Sequence, residues 1–372
     1  MVNGGDTIVK YEIYKIFRNK IVYVPIVLVV IVVLYAMLAN GEFGYDNCDV
    51  MIAYSEIDGE LVNGERGYLH NKEIADYYKG IVDEHYLAKM QEAYKASSYA
   101  SMEDGIRFYN STFRFFQEIF YIQEESYLTK NDVWGNNTII YGFTGDWDAY
   151  GNVLEKFFQA FSFFIIIFAV QLFTHEKECG MTEILGTAKY GGNLLLRYKS
   201  MAAFCVMNIL MFLILVFISL VHFGQYGFIN ADVSIQCSTE KAMAGAVIAC
   251  NMGQLTAWKI VFGILGCNVL LCVTILISVL SESSVTALAV AVCSTWICSY
   301  SIVHNLVRSP VIDVLLAVIP INAFSMESLV NAVTTQAQIG MVSIFVIVFA
   351  GLITLILKNI WSRKFFYRGG MR

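Results

Sequence analysis

Charged residues divide the chain into uncharged runs, and the lengths of those runs predict its elements. A helix needs roughly 20 apolar residues to traverse the hydrocarbon of a bilayer. Residues 21–41 lie between Lys20 and Glu42, 157–174 follow Lys156, and 200–231 lie between Lys199 and Asp232. Residues 260–281 run from Lys259 to Glu282, 283–307 from Glu282 to Arg308, and 328–357 end at Lys358. Six transmembrane helices are therefore predicted. A seventh run, 314–326, is too short to cross and predicts a re-entrant helix at 310–320, with Pro310 placed to start it and Pro320 to stop it. Pro25 sits near the start of the first span, where a mild kink is tolerable.

The long polar interval 42–155 predicts a separate domain. Apolar residues alternate around "IDGE" and "NG" in "DVMIAYSEIDGELVNGERGYL", a pattern of short strands and a hairpin. The stretches "NKEIADYYKGIVDEHYLAKMQEAYKAS" and "MEDGIRFYNSTFRFFQEIFYIQEESYL" read as helices. In the second, Tyr109, Phe113, Phe116 and Phe120 form one helical stripe, and Phe108, Phe115, Ile119 and Ile122 another. A helix apolar on two faces is sandwiched in a core, lines a route for an amphiphilic ligand, or meets a second copy.

Composition agrees with a chain that uses lipid as solvent. It is 57% hydrophobic and 15% charged, with 3 prolines in 372 residues; soluble domains are about 45–50% apolar and about 25% charged. The expected fold class is an all-α polytopic membrane protein: six transmembrane helices plus a mixed, mainly helical extracytoplasmic domain after the first span. The first run lacks a small-residue cleavage site and reads as a retained span.

Lys and Arg near the span ends set the orientation. Lys10, Lys15, Arg18 and Lys20 precede the first span; Lys177, Lys189, Arg197 and Lys199 follow the second; Lys358, Arg363, Lys364, Arg368 and Arg372 follow the sixth. The short loops opposite hold Lys241, Lys259 and Arg308. Both termini are thus expected in the cytoplasm and the protein in the plasma (cytoplasmic) membrane. The domain map follows: an amphipathic cytoplasmic arm at 1–20, the first span at 21–41, an extracytoplasmic domain at 42–155, spans two to six within 156–358, and a basic tail at 359–372. The outer domain holds 21 of the 31 acids and 8 of the 25 basic residues, so it is strongly acidic.

Catalytic chemistry is absent from the pattern. The chain has no G-x-x-x-x-G-K-[ST] loop to cradle phosphates, no H-E-x-x-H, no G-x-S-x-G and no C-x-x-C. No catalytic residue, bound cofactor, metal or nucleic-acid partner is expected. Cys179, Cys205, Cys267, Cys272, Cys293 and Cys298 fall in spans or at the cytoplasmic face as small fillers. Cys237 and Cys250 fall outside and could form a bridge. "NST" at 110 and "NNT" at 136 match the glycosylation acceptor. None of the predicted spans carries Asp, Glu, Lys or Arg, which weighs against a carrier driven by its own ion gradient.

One segment stands apart. "THEKECGMTEILGTAKYGG", between the second and third runs, is charged and punctuated by glycine. Glu176 and Glu178 continue the second helix into the cytoplasm and Gly180 offers a place to end it. Thr182 can cap a short amphipathic turn with Ile184 and Leu185 on its oily side, and Gly191-Gly192 hinge it to the third span. Such a stub lies along the membrane surface and shows polar side chains to a partner.

Here the chain resembles the membrane subunits of type-2 ABC exporters, whose corresponding loop reads approximately E-x-E-x-G-T-x-E-x-L-x-x-T-P-x-x-R. The matching positions are Glu176, Glu178, Gly180, Thr182, Glu183, Leu185, Thr187 and Arg197, with Lys199 at the start of the third span. Thr182 comes one residue late, and Ala188 stands where the family has proline. The N-terminal arm, the six spans, the large outer domain and the short dip before the sixth span match the subgroup with big ectodomains. The resemblance implies a coupling loop at 175–199, gripped by a separate ATPase subunit that carries ATP and Mg. It further implies a homodimer or heterodimer of permeases surrounded by membrane lipid, and an amphiphilic substrate. Phe113, Phe116, Phe120 and, in the dip, Leu316 are then candidates for the substrate path. Two other classes fit the same outline: a membrane receptor or immunity protein with an extracellular ligand-binding domain, and an FtsX-like mechanotransmission protein, for which four spans are expected.

Overall fold

The computed structural model describes residues 4–18, 20–43, 55–57, 60–83, 85–86, 138–181, 193–238, 243, 246, 248–297, 322, 340, 342, 344, 347–348 and 351–356. Within these the chain is mostly helical: α1 Gly4–Arg18, α2 Tyr23–Ala39, α3 Glu65–Tyr77, α4 Gly145–Glu178, α5 Asn193–Tyr226, α6 Met252–Leu280 and α7 Ser284–Ile297. Three helices are long and apolar enough to cross a membrane, Gly145–Glu178, Leu195–Tyr226 and Met252–Leu280, and α1 with α2 make a fourth candidate bent by 70°. Within the run expected to form the fifth span, the described residues hold α7, an apolar helix of 14 residues that is too short to count among the candidates. The rest of that run, the 310–320 dip and most of the sixth run lie outside the described residues, as do the aromatic stripes at 108–122 and the tail.

In lipid every backbone polar group must be satisfied within the segment, which holds even the β-branched run of α2 in a helix. Its end is set by Gly41, at φ +79, with Gly41 N–H donating to Leu38 O and Glu42 N–H to Met37 O. This is a Schellman motif, open to glycine because it carries no Cβ. Gly180, at φ +68, ends α4 the same way: its N–H donates to Lys177 O at 3.0 Å and that of Met181 to Glu176 O at 2.9 Å. The expected stop falls where glycine permits it.

α4, α5 and α6 begin before the uncharged runs that announced them. α4 begins at Gly145, inside the interval assigned to the outer domain, and is roughly 51 Å long. The hydrocarbon of a bilayer is only ~30 Å thick, so a helix of this length is longer than a crossing needs. α5 begins at Asn193 and ends at Tyr226, short of the expected 231, where Gly227 turns left-handed at φ +72. α6 starts at Met252 rather than at residue 260, because Asn251 and Gln254 form a reciprocal capping box.

α4 is the centre. It packs against α2, α5, α6 and α7, and its Phe157, Phe158, Phe161, Phe164, Phe168 and Phe173 are all buried. Successive rings sit 5.0–5.4 Å apart from Phe157 through Phe168. Two glycines let neighbours close on it. A Cβ at Gly263 of α6 would fall 2.2 Å from the Phe158 ring, and one at Gly151 would fall 3.0 Å from Lys259 Nζ. Lys259, expected at the edge of a span, is buried in this notch. α5 is different: Ala203, Met207 and Met211 are buried while Ile209, Phe212, Val216 and Leu220 are exposed. Apolar on both sides, it fits a helix that borders lipid.

The expected hairpin is present: Ser55–Ile57 (β1) pairs antiparallel with Glu60–Val62 (β2), Ile57 opposite Glu60. The helix expected from residue 71 onward instead begins at Glu65 and stops at Tyr77. Gly80–Ile81 (β3) then pairs with Ile140–Tyr141 (β4). Gly80 interrupts the helical pattern, and the partner strand lies too far along the sequence for local periodicity to reveal it. The loop between α5 and α6 joins the same platform: Ser234 N–H donates to Ile140 O at 3.0 Å and Met252 N–H to Val233 O at 2.8 Å.

Gly263→Ala tests the central packing. The added methyl overlaps a buried ring and should destabilise by about 1–3 kcal/mol, as overpacking does. Gly224→Ala, with open space around it, should leave the unfolding midpoint of the detergent-solubilised protein unchanged or slightly raised.

Candidate functional site

Successive helical residues point about 100° apart, so three in a row can reach three neighbours. The last turn of α4 does this. Glu176 receives both Lys15 of α1 and Lys199 of α5, the latter at 2.7 Å. Lys177 Nζ donates to the carbonyls of Ser278, Val279 and Ser281 at 2.8, 2.6 and 2.9 Å, closing the C-terminus of α6. Glu178 Oε1 accepts the Ser284 N–H at 2.6 Å, at the first turn of α7. Each charge matches the dipole it meets: a cation at a C-terminus and an anion at an N-terminus. One turn thus gathers α1, α5, α6 and α7.

The inner cluster is dry on one side. Lys199 keeps 4% of its side chain exposed and Glu176 13%, and Lys199 Nζ also lies 5.5 Å from the centre of the Phe173 ring. Glu12 is buried on the same face of α1 and adds its charge to both lysines. A buried lysine holds its charge only with a partner at hand, and Glu176 is that partner.

A second polar hub lies at the other end of α4. Asp146 accepts from Tyr68 Oη of α3. Trp147 Nε1 donates to Ile229 O at 2.7 Å. Asp148 accepts from Ser238 Oγ at 2.6 Å and from Thr144 Oγ1 at 3.1 Å. Again three consecutive residues reach three directions. Beside them His222 Nδ1 donates to Glu42 Oε1 at 2.6 Å, both side chains buried. Tyr150 stacks on His222 at 4.6 Å and shares a 2.6 Å hydrogen bond with Ser219. Tyr226 Oη and Gln225 Nε2 both donate to Gly41 O at 2.9 Å, joining the outer ends of α5 and α2.

Of the residues singled out in the sequence, Glu176, Glu178 and Gly180 come together at the inner hub. Arg197 is exposed and stands apart from the cluster, whereas Lys199, two residues on, is inside it. Thr182, Glu183 and Thr187 lie outside the described residues, as do Phe113, Phe116, Phe120 and Leu316. Sequence reasoning missed the Glu42–His222 pair, the outer triplet 146–148 and the capping role of Lys177. "DWD" and "EKE" at the two ends of one helix were the available signal.

Cys237 and Cys250 are free thiols, the first donating to Ile140 O and the second to Asn251 O, so the bridge considered for them is not formed. Burial pushes the Cys237 thiol up, and pushes that of Cys250 up to about 11. Among the described residues no group of three or more His, Cys, Asp or Glu could hold a metal ion. No protein-family model matches the chain, and neither a curated protein nor a solved structure is significantly similar to it.

Removing one member of a buried pair strands the other. Glu176→Ala should therefore lower stability by about 3–5 kcal/mol, and Glu176→Ala/Lys199→Met should recover most of that loss. Arg197→Ala, exposed, should stay within about 0.5 kcal/mol. Thermal unfolding of the four proteins in one detergent checks the order; equal losses in the single and double variants would contradict it.

Proposed function

We propose that the chain is the permease subunit of an ATP-driven type-2 ABC exporter, moving an amphiphilic substrate (peptide, lipid or drug) outward with a separate ATPase subunit. The observation that carries this reading is the fastening of residues 176–178 to four helices at the root of the charged loop. A partner that displaced the loop would pull on α1, α5, α6 and α7 through side chains already bonded to them. The chain contributes no ATP chemistry of its own: ATP and Mg belong to the partner. The reading includes six spans, both termini in the cytoplasm, the 310–320 dip at the mouth of the path, and pairing of two permease chains.

One observation favours a second reading. α4 runs unbroken from a hub on the outer domain to a hub at the loop, which equally suits an FtsX-like mechanotransmission protein that moves its ectodomain rather than a substrate. The span count separates the two. With all cysteines except Cys237 and Cys250 replaced by serine, an impermeant maleimide should label Phe228→Cys on intact cells and Met181→Cys only after permeabilisation. Cys237 and Cys250 should stay silent, since both are buried and burial pushes both thiols up, leaving little reactive thiolate at pH 7. Cysteines at 305 and 370 then decide: six spans put 305 outside and 370 inside, and any other pattern removes the exporter topology.

Function is tested at Glu183, a carboxylate expected in the loop's first turn. Glu183→Lys should leave unfolding and assembly with the ATPase intact yet abolish substrate-stimulated turnover, because a cross-interface pair becomes a like-charge contact. Normal turnover in reconstituted vesicles would mean that the loop transmits nothing.

A further inference from the structure

α1 sorts its side chains by charge as well as by polarity. Phe17, Lys10, Tyr14, Arg18 and Tyr11 fall within a sector of about 120° on a helical wheel. All five are exposed, with Tyr11 at 64% and Tyr14 at 62%. On the opposite side Glu12 and Ile16 are buried, and Lys15, on the flank, reaches Glu176. Among the described side chains of α1 the only acid is Glu12, and it is turned inward. The outward face therefore presents aromatic rings interleaved with cations, continued by exposed Lys20 at the 70° bend and by Tyr23, whose hydroxyl donates to Phe17 O at 2.6 Å.

A soluble helix would not expose three aromatic rings in one sector, and a helix buried in hydrocarbon would not carry Lys and Arg among them. Rings and cations side by side suit the boundary between acyl chains and headgroups, where aromatic rings rest and basic stems reach upward to phosphate. The bend at Lys20 turns α1 away from the line of α2, as a helix lying on a bilayer requires.

The geometry points to a binding surface for anionic lipid of the cytoplasmic leaflet on the outward face of α1, with Lys10, Arg18 and Lys20 as its headgroup ligands. Because the flank of the arm is tied through Lys15 to Glu176, lipid held on the outward face fixes the arm against the last turn of α4. The inference rests on the inside placement of the arm and not on the exporter reading, and its test needs no ATPase.

The full-length protein, carrying Tyr14→Cys labelled with a fluorophore, is placed in bilayers of phosphatidylcholine and phosphatidylglycerol, with one or the other brominated at equal mole fraction. Brominated phosphatidylglycerol should quench more strongly. Each basic residue near an anionic surface contributes roughly fivefold to partitioning, so Lys10→Gln/Arg18→Gln/Lys20→Gln should remove the preference. Quenching by brominated phosphatidylcholine should persist in that variant, because the rings still hold the arm at the surface. Equal quenching by the two lipids in the parent protein would overturn the proposal. So would a probe that neither lipid quenches and that aqueous iodide does, which would assign this face to a soluble partner.

Discussion

Everything described here hangs on one helix whose middle is apolar on all sides and whose two ends are not. Within hydrocarbon there is little hydrophobic drive between helices, since lipid tails are as apolar as leucine. Shape and hydrogen bonding must select the arrangement. α4 uses both. Gly263 admits the Phe158 ring, Gly151 admits Lys259, and the triplets 146–148 and 176–178 bond outward in several directions at either end. A rotation of α4 by one residue would break both hubs at once and drive Phe158 away from its notch. The bundle is specified because those errors coincide.

The inner hub is a poor choice if stability were the only criterion. A buried lysine–glutamate pair is often matched or bettered by apolar residues of similar volume, yet removing one partner is severe. Such pairs fix register. Here the register concerns α1, α4 and α5 together, at the end of α4 that precedes residues 182–192. The same three-residue device joins α1, α5, α6 and α7 to one turn of α4, so substitutions at Glu176 disturb α1 and α5 together.

How far the sequence could be read depends on the range of each interaction. Uncharged runs located α2, α4, α5 and α6 because lipid imposes a length. Gly180 marked the end of α4, and the hairpin at 55–62 was visible, because both are settled by adjacent residues. Helix boundaries were misplaced because charge marks where an apolar run ends, whereas Asn251 and Gly227 mark where a helix starts or stops. Glu42 and His222 stand 180 positions apart, and Lys15 and Glu176 161. No local period could pair them. For the same reason Glu176 was legible as a charge at a membrane edge but not as the clamp between α1 and α5. The candidates at 113–120, 182–187 and 316 remain readings of the sequence.

The pairs that local patterns could not reveal share a location. α2, α6 and α7 lie along α4 over long contacts, while α5, with α1 against it, meets α4 and α6 over much less of its length. That thin seam is crossed by polar bonds at three levels. Toward the Glu178 end of α4 is Glu176 with Lys199; in the middle Asn208 and Asn268 exchange amide bonds at 3.0 and 3.2 Å; toward the Gly145 end are Tyr150 with Ser219, Glu42 with His222, and Tyr226 with Gly41. Interhelical hydrogen bonds in membranes contribute only about 0.6 kcal/mol on average, because separated polar groups find other partners. A seam held this way is specific in register yet inexpensive to shift, whereas sliding α6 against α4 would pull Phe158 through Gly263. Among the described residues the α1–α5 pair is therefore held to the rest chiefly by polar register, and Glu176 is one end of that seam.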